Sequence, residues 1–213
     1  MTKANNKENI DMLKYEKDLI SDGYEFICGI DEAGRGPIAG PVCAAAVILP
    51  NGLIIDGVND SKKLSEKKRE KLYDDIIDAA LAYSVQFIFQ DKIDEINIRQ
   101  ATHLAMQNAV NDLAVKPDIL IVDGNDNIDF DDVNSLYIKK GDANSQTIAA
   151  ASILAKVTRD RYMVSLAKEY PEYGLDAHKG YGTKKHIEAI RKFGVQPIHR
   201  KTFMTDKVLG INK

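Results

Sequence analysis

The run Glu25-Phe26-Ile27-Cys28-Gly29-Ile30-Asp31 closes on an acid and passes directly into Glu32-Ala33-Gly34-Arg35-Gly36-Pro37-Ile38-Ala39-Gly40-Pro41. The first stretch is apolar up to its final carboxylate and predicts a buried strand. The second, from Ala33 to Pro41, is too dense in glycine and proline for regular structure and predicts a tight loop. Residues 42–49 (VCAAAVIL) and 53–58 (LIIDGV), parted by Pro50-Asn51-Gly52, are expected to form a strand hairpin. Ser65 caps a helix in which Leu72, Ile76, Ile77 and Ala80 keep the helical period. Residues 83–89 alternate as a strand. Residues 94–113 form a helix with Ile98, Ala101, Ala105 and Val110 near one stripe. After Pro117 comes 118–123 (DILIVD), a second apolar strand that ends in acid. A short strand at 136–138, an alanine-rich helix over 145–170 and a helix near 183–193 complete the order. No repeat or linker divides the chain. The pattern is α/β: a mixed sheet with helices on its faces, in one domain over 23–213, preceded by a short N-terminal extension over 1–22 that reads as a short helix or frayed arm.

With 213 residues, 44% hydrophobic and 29% charged, the chain is long enough for a well-filled core, and its composition excludes disorder and fibrous repeats. No apolar run approaches the ~18 residues of a membrane span, and the N-terminus lacks the apolar stretch of a signal peptide, so no membrane partner is expected. Cys28 and Cys43 sit in apolar runs without ligand spacing and read as buried free thiols in a reducing cytoplasm. The net charge of −3 hides an asymmetry. Residues 1–138 hold 14 Lys and Arg against 25 Asp and Glu, whereas residues 139–213 hold 15 against 7. An acidic front joined to a basic tail suits a protein on which metals and a polyanion meet. A second basic run, residues 61–69 (SKKLSEKKR), interrupts the acidic half.

Two strands end in carboxylates, Ile30-Asp31-Glu32 and Val122-Asp123-Gly124. Ligands of α/β sheets collect at the carboxyl ends of strands. If these strands are neighbours, Asp31 and Asp123 face one another and a divalent cation is their natural partner. The oxygen-only donor set points to a hard ion and away from zinc. Residues 123–129 imitate the start of a calcium loop, but Ile128 and Asn134 stand where an EF-hand needs Gly and Glu. Gly34-Arg35-Gly36 could be a phosphate nest or a plain structural turn; it is neither a Walker loop nor a dinucleotide fingerprint. In His178-Lys179-Gly180-Tyr181-Gly182-Thr183 a tyrosine stands between glycines and cations, fit either to stack on a sugar or base or to fill a turn. The four histidines lack metal spacing, and His103 reads as structural.

Taken together, Gly29-Ile30-Asp31-Glu32-Ala33-Gly34-Arg35-Gly36-Pro37, Asp60-Ser61-Lys62-Lys63-Leu64-Ser65, Ile121-Val122-Asp123-Gly124 and Lys140-Gly141-Asp142 resemble the motifs of the type 2 ribonucleases H, the bacterial ribonuclease HII family. Residues 148–160 (IAAASILAKVTRD), 178–183 (HKGYGT) and 199–203 (HRKTF) match as well, so the resemblance runs from about residue 24 to 204. It implies a ribonuclease H-like mixed five-stranded sheet flanked by helices, with a basic helical C-terminal extension. It implies an endonuclease that hydrolyses the RNA strand of RNA–DNA hybrids and cuts 5′ of single ribonucleotides embedded in duplex DNA. Asp31, Glu32, Asp123 and Asp142 would hold Mn²⁺ or Mg²⁺, two ions in the substrate-bound state. Gly34, Arg35 and Gly36 would read the ribose 2′-hydroxyl, and Tyr181 would stack. Ser61, Lys62, Lys184 and Lys185 are placed with the substrate contacts. Asp160 stays outside the metal set as a structural ion-pair acid. The expected partners are RNA–DNA hybrid and ribonucleotide-containing duplex DNA, and the expected state is a cytoplasmic monomer. The rivals are a non-catalytic nucleic-acid binder, which leaves four acids on the path of a polyanion unexplained, and a nuclease that cuts DNA only.

Overall fold

The computed structural model describes residues 11–211; the first ten residues of the N-terminal extension lie outside the described residues. In chain order the elements are α1 (Lys14–Ser21), β1 (Ile27–Ala33), β2 (Val42–Ile48), α2 (Glu66–Ala79), β3 (Ala82–Ile88), α3 (Gln90–Asn111), β4 (Ile119–Asp123), β5 (Asn134–Ile138), α4 (Gln146–Glu169), α5 (Leu175–His178), α6 (Lys184–Phe193) and α7 (Asp206–Leu209). The five strands form one sheet in the order β3-β2-β1-β4-β5. The first three pair antiparallel, and β1, β4 and β5 run parallel.

β2 is buried along its whole length, and its alternate residues serve two cores. Val42, Ala44, Ala46 and Ile48 pack with Ile93, Ala101, Ala105 and Met106 of α3 on one face. Cys43, Ala45 and Val47 pack with Leu72 and Ile76 of α2 and the alanine-rich half of α4 on the other. Small side chains on β2 let helices approach from both sides, and on the central strand β1 a Cβ at Gly29 would stand 2.4 Å from the carbonyl carbon of Thr147. A third core, built on Ile38, Met163, Leu166, Leu175 and Ile190, binds the C-terminal helices to the far end of α4.

Side chains cap three of the helices, at Ser65 as the sequence predicts and also at Ser145 and Thr183. Ser65, Ser145 and Thr183 each accept from the backbone N–H three residues on, at 3.2–3.3 Å. The N-terminus of α4 has no acid of its own in its first turn. Glu16 of α1 supplies one, accepting from the Ser145 hydroxyl at 2.7 Å and the Thr147 N–H at 3.0 Å. The segment over residues 11–22 is thereby tied to the body of the fold.

Two expectations are corrected. Residues 53–58 form no strand, because β2 already has β1 on one side and β3 on the other. With no edge to pair with, the segment runs along the surface and Ile54 is 67% exposed. The helix expected from Asp94 starts at Gln90 and is broken at Asn97, whose φ of 67° is not helical. Among the described residues no helix is long and apolar enough to cross a membrane.

Candidate active site

β1 and β4 lie side by side and parallel, with Ile30 opposite Val122, so the acids that follow, Asp31 and Asp123, emerge as neighbours. β1 does not stop at Asp31: it stays paired with β2 through Glu32 and Ala33. Asp31 and Glu32 therefore both stand on regular strand, and the pleat turns these two to opposite faces. Asp31 is buried and accepts from the Glu32 N–H at 2.7 Å. Glu32 also lines a smaller recess with Thr102 and His103 of α3.

The two strand ends open on a cavity of about 200 Å³ walled by Asp31, Glu32, Asp123, Arg35, Lys62 and Tyr181, with Ser61, Ser152 and Lys156. Asp142 sits on a 3-10 turn, Gly141–Ala143, beside the cavity, with the Nζ of Lys62 3.6 Å from its Oδ2 and its charge acting on Asp123. The same turn donates the Gly141 N–H to Asp123 Oδ1 at 2.6 Å, which couples the two acids mechanically. Ser61 is buried against Ser152, Oγ to Oγ 2.9 Å, and leaves Lys62 exposed over the acids.

The electrostatics are those of an under-compensated acid cluster. Burial, Glu32 and Asp123 together push Asp31 well above the ordinary carboxylate range. Burial also raises Glu32, with Arg35 opposing, and raises Asp123, with the Gly141 N–H opposing. Burial works against the charge of Lys62, but the field of Asp142, Asp31, Asp60 and Asp123 outweighs it and raises its pKa. Among the described residues no three acidic, imidazole or thiol side chains close on a single point tightly enough to enclose an ion. The acids are gathered around one opening as separate groups. Their oxygens, their mutual repulsion and their burial fit a hard divalent cation, which would draw them inward.

The glycine loop is shaped from behind. Gly34 has φ +96°, and a Cβ there would lie 2.0 Å from Arg159 Nε. Arg159 donates to the carbonyls of Pro41, Ala39 and Lys179 at 2.9, 3.3 and 3.0 Å. Arg200 donates to those of Gly34, Arg35 and Gly40 at 2.6, 2.9 and 2.9 Å. Both guanidiniums are buried, which lowers Arg200 to about 9 and Arg159 in the same direction. In the sequence these two arginines only add to the charge of the basic tail. They are instead the internal frame of the loop, and their only sequence signal was their place inside the quoted motifs.

Arg35 and Gly36 are exposed at the rim, with Arg35 3.6 Å from Glu32 and 3.9 Å from Asp126. Tyr181 stands across from them, 46% exposed. Lys184 and Lys185 do not line the cavity; they project from the first turn of α6, just beyond Tyr181. That turn carries no acid, and cations there oppose the helix dipole. Asp160 pairs with Lys156 at 2.7 Å rather than with its arginine neighbours. Cys28 and Cys43 are free and buried, and burial pushes the Cys28 thiol up to about 12.

Comparison with known proteins adds three findings. The family model described as ribonuclease HII matches residues 28–206. A ribonuclease HII of Caldicellulosiruptor bescii is 53% identical over 199 residues, covering 92% of this chain and 95% of that protein. One from Acetivibrio thermocellus is 55% identical over 196 residues, covering 91% and 75%. Among solved structures, the ribonuclease H2 of Pyrococcus horikoshii superposes with a TM-score of 0.74 at 30% identity, over 87% of this chain and 97% of that one.

Proposed function

The chain belongs to the ribonuclease HII family, and from that premise we propose that it cuts 5′ of single ribonucleotides in duplex DNA as well as within RNA–DNA hybrids. The family cleaves the RNA of RNA–DNA hybrids, and the chain is an endoribonuclease of that class. The observation that carries the finer reading is the convergence of Asp31, Glu32 and Asp123 with the rim of the glycine loop and an exposed Tyr181 around one cavity.

Asp31, Glu32, Asp123 and Asp142 hold divalent cations in this reading. Such ions, when bound, activate a water and stabilise the leaving 3′-oxygen, giving 3′-hydroxyl and 5′-phosphate ends. The chain's own residues do the rest. The acids of β1 and β4 fix the point of cleavage, because they ride on paired strands that cannot shift singly. The loop at Gly34, Arg35 and Gly36 is stripped of side-chain bulk except at Arg35, so its backbone can lie against a ribose and read the 2′-hydroxyl, the group that separates RNA from DNA. Tyr181 stacks on the sugar beyond the junction and holds the scissile phosphate in line. Ser61 and Lys62 set the opposite wall, and Lys184 and Lys185 add phosphate contacts that carry no sequence information.

The test is cleavage of matched duplexes that differ by one embedded ribonucleotide. Cleavage confined to the 5′ side of the ribonucleotide supports the reading, whereas equal cleavage of the all-DNA duplex overturns it. Tyr181→Ala should slow the single-ribonucleotide substrate at least as much as a longer hybrid, and Tyr181→Phe should cost less if stacking is the contact.

A further inference from the structure

Behind the exposed ring of Tyr181 lie three imidazoles that the cleavage chemistry does not use. His186 and His199 are fully buried, 0% and 1% exposed. His178 stacks on His186 with ring centroids 4.4 Å apart, and His186 lies 5.3 Å from His199. The contacts fix the protons. His186 Nδ1 is 2.9 Å from the main-chain oxygen of Tyr181, which only accepts, so that nitrogen carries the hydrogen. A neutral His186 then has a bare Nε2, and it faces His199 Nε2 at 3.3 Å. His199 Nδ1 lies 3.0 Å from the Gln196 nitrogen and 3.1 Å from its carbonyl oxygen, a neighbourhood that suits either tautomer, so the Nε2–Nε2 contact decides: His199 donates from Nε2 and its bare Nδ1 accepts the Gln196 N–H. With the other His199 tautomer, two lone pairs would face each other at 3.3 Å. Every nitrogen of the pair is satisfied by one directed chain, from Gln196 through His199 and His186 to the carbonyl of Tyr181.

We propose that His186, backed by His199, is a positioning residue for Tyr181: its Nδ1–H pins the tyrosine's carbonyl and so sets where the ring stands over the cavity. The inference rests on the reading of Tyr181 as a stacking residue. Two observations single out this carbonyl. It already accepts the Thr183 N–H at 2.8 Å, so the imidazole is a second, added restraint on one peptide. The residue before it is held as firmly, since the Gly180 carbonyl accepts from Ile38 N–H at 2.9 Å and its N–H donates to His178 Nδ1 at 3.3 Å. The restraints converge on the one loop that carries the exposed ring, and they link it to the loop that follows the acids of β1. Two buried imidazoles are expensive to desolvate where apolar side chains of the same size would fill the space. Burial also holds His186 neutral, down to about 4, which keeps the chain of donors intact at the pH where hydrolysis runs.

The experiment is a double-mutant cycle on a duplex with one embedded ribonucleotide, with kcat and KM separated and folding checked by circular dichroism. His186→Phe keeps a planar ring, somewhat larger than the imidazole, and removes both hydrogen bonds. It should lower kcat about ten-fold through misalignment of the stacked sugar, with KM held within about two-fold by the phosphate contacts. His186→Asn, whose amide N–H stands near the position of Nδ1–H, should recover most of the loss. In a Tyr181→Ala background, His186→Phe should have no further effect. An equal additional loss in that background, or no loss in the wild-type background, overturns the positioning role while leaving Tyr181 as the stacking residue. Normal cleavage by Tyr181→Ala alone overturns the stacking reading and the inference with it. Should His186→Phe fail to fold, His199→Phe keeps the His186 contact to Tyr181, removes the donor behind it together with the acceptor of the Gln196 N–H, and carries the same cycle, with an expected loss of about three-fold.

Discussion

Asp31 is held on β1 with Glu32 beside it and Asp123 on the next strand, and burial first, then these two charges, favour its protonated form more than the hydrogen bonds from Ser152 and the Glu32 N–H oppose it. A group whose pKa is raised on folding stabilises the native state below its unfolded value near 4, and that contribution is lost as the pH rises through the folded value. At neutral pH without divalent ions the ionised cluster therefore strains the fold. Asp31→Asn keeps an acceptor for the Glu32 N–H and removes the charge. It should abolish hybrid cleavage, leave hybrid binding in an anisotropy titration unchanged, and raise the Tm measured in chelator by a few degrees, at ~2–4 °C per kcal/mol for a chain of this size. Asp123→Asn should abolish cleavage likewise, and near wild-type turnover of either variant with Mg²⁺ would remove that acid from the catalytic set. The two glycines of the loop look alike in the sequence and separate in the structure. A Cβ at Gly34 collides with Arg159, so Gly34→Ala should cost stability first. A Cβ at Gly36 meets only the Tyr181 ring, at an ordinary 3.6 Å. Gly36→Ala should fold with an unchanged Tm yet lose cleavage at single ribonucleotides, and unchanged cleavage would exclude close ribose contact there.

The first turn of α6 and the start of α4 carry opposite lessons about charge. On α6, Lys184 and Lys185 are exposed against the helix dipole, an arrangement that a polyanion would relieve. Replacing either with Ala should flatten the salt dependence of hybrid binding by about one in slope, without moving the cleavage site. A slope that does not change would leave the turn as solvated surface. Arg159 on α4, and Arg200 near the C-terminus, face inward and satisfy carbonyls of the loop. Arg200→Met would leave the Gly34, Arg35 and Gly40 carbonyls without that donor, at a cost of about 3 kcal/mol in denaturant unfolding. The hairpin expected over 53–58 failed for a reason of the same kind. Its apolar residues suit a strand, but strand formation needs a partner edge, and both edges of β2 were taken by strands that the local pattern cannot rank.

The whole molecule couples an acid-ended sheet to a C-terminal unit whose buried imidazoles must stay neutral. Burial lowers His178, His186 and His199, the second from 6.5 to about 4. A pKa depressed on folding contributes stability that is complete above the unfolded value near 6.5 and is lost as the pH falls through the folded one. At about 1.4 kcal/mol per pH unit, His186 alone accounts for something on the order of 3 kcal/mol. The stability difference between the wild type and His186→Phe should shrink by about that amount between pH 7 and pH 4, and a difference constant across that range would show that His186 does not titrate as a buried neutral group. Taking the difference cancels the carboxylates, which act in the opposite direction. What the sequence determined by itself was local: the apolar runs of β1, β2 and β4, the helix cap at Ser65, the helices that start near residues 145 and 183, and the acids at two strand ends. These follow from the spacing of apolar and capping residues within one segment, which neighbours in space do not alter. Only the tertiary structure decided that β1 lies against β4, so that Asp31 and Asp123 meet, and that Arg159 and Arg200 turn inward. Their carbonyl partners on the loop stand 118 to 166 residues away in the chain. A charged side chain goes inside only where acceptors wait for it, and distance along the chain says nothing of where those acceptors come to rest.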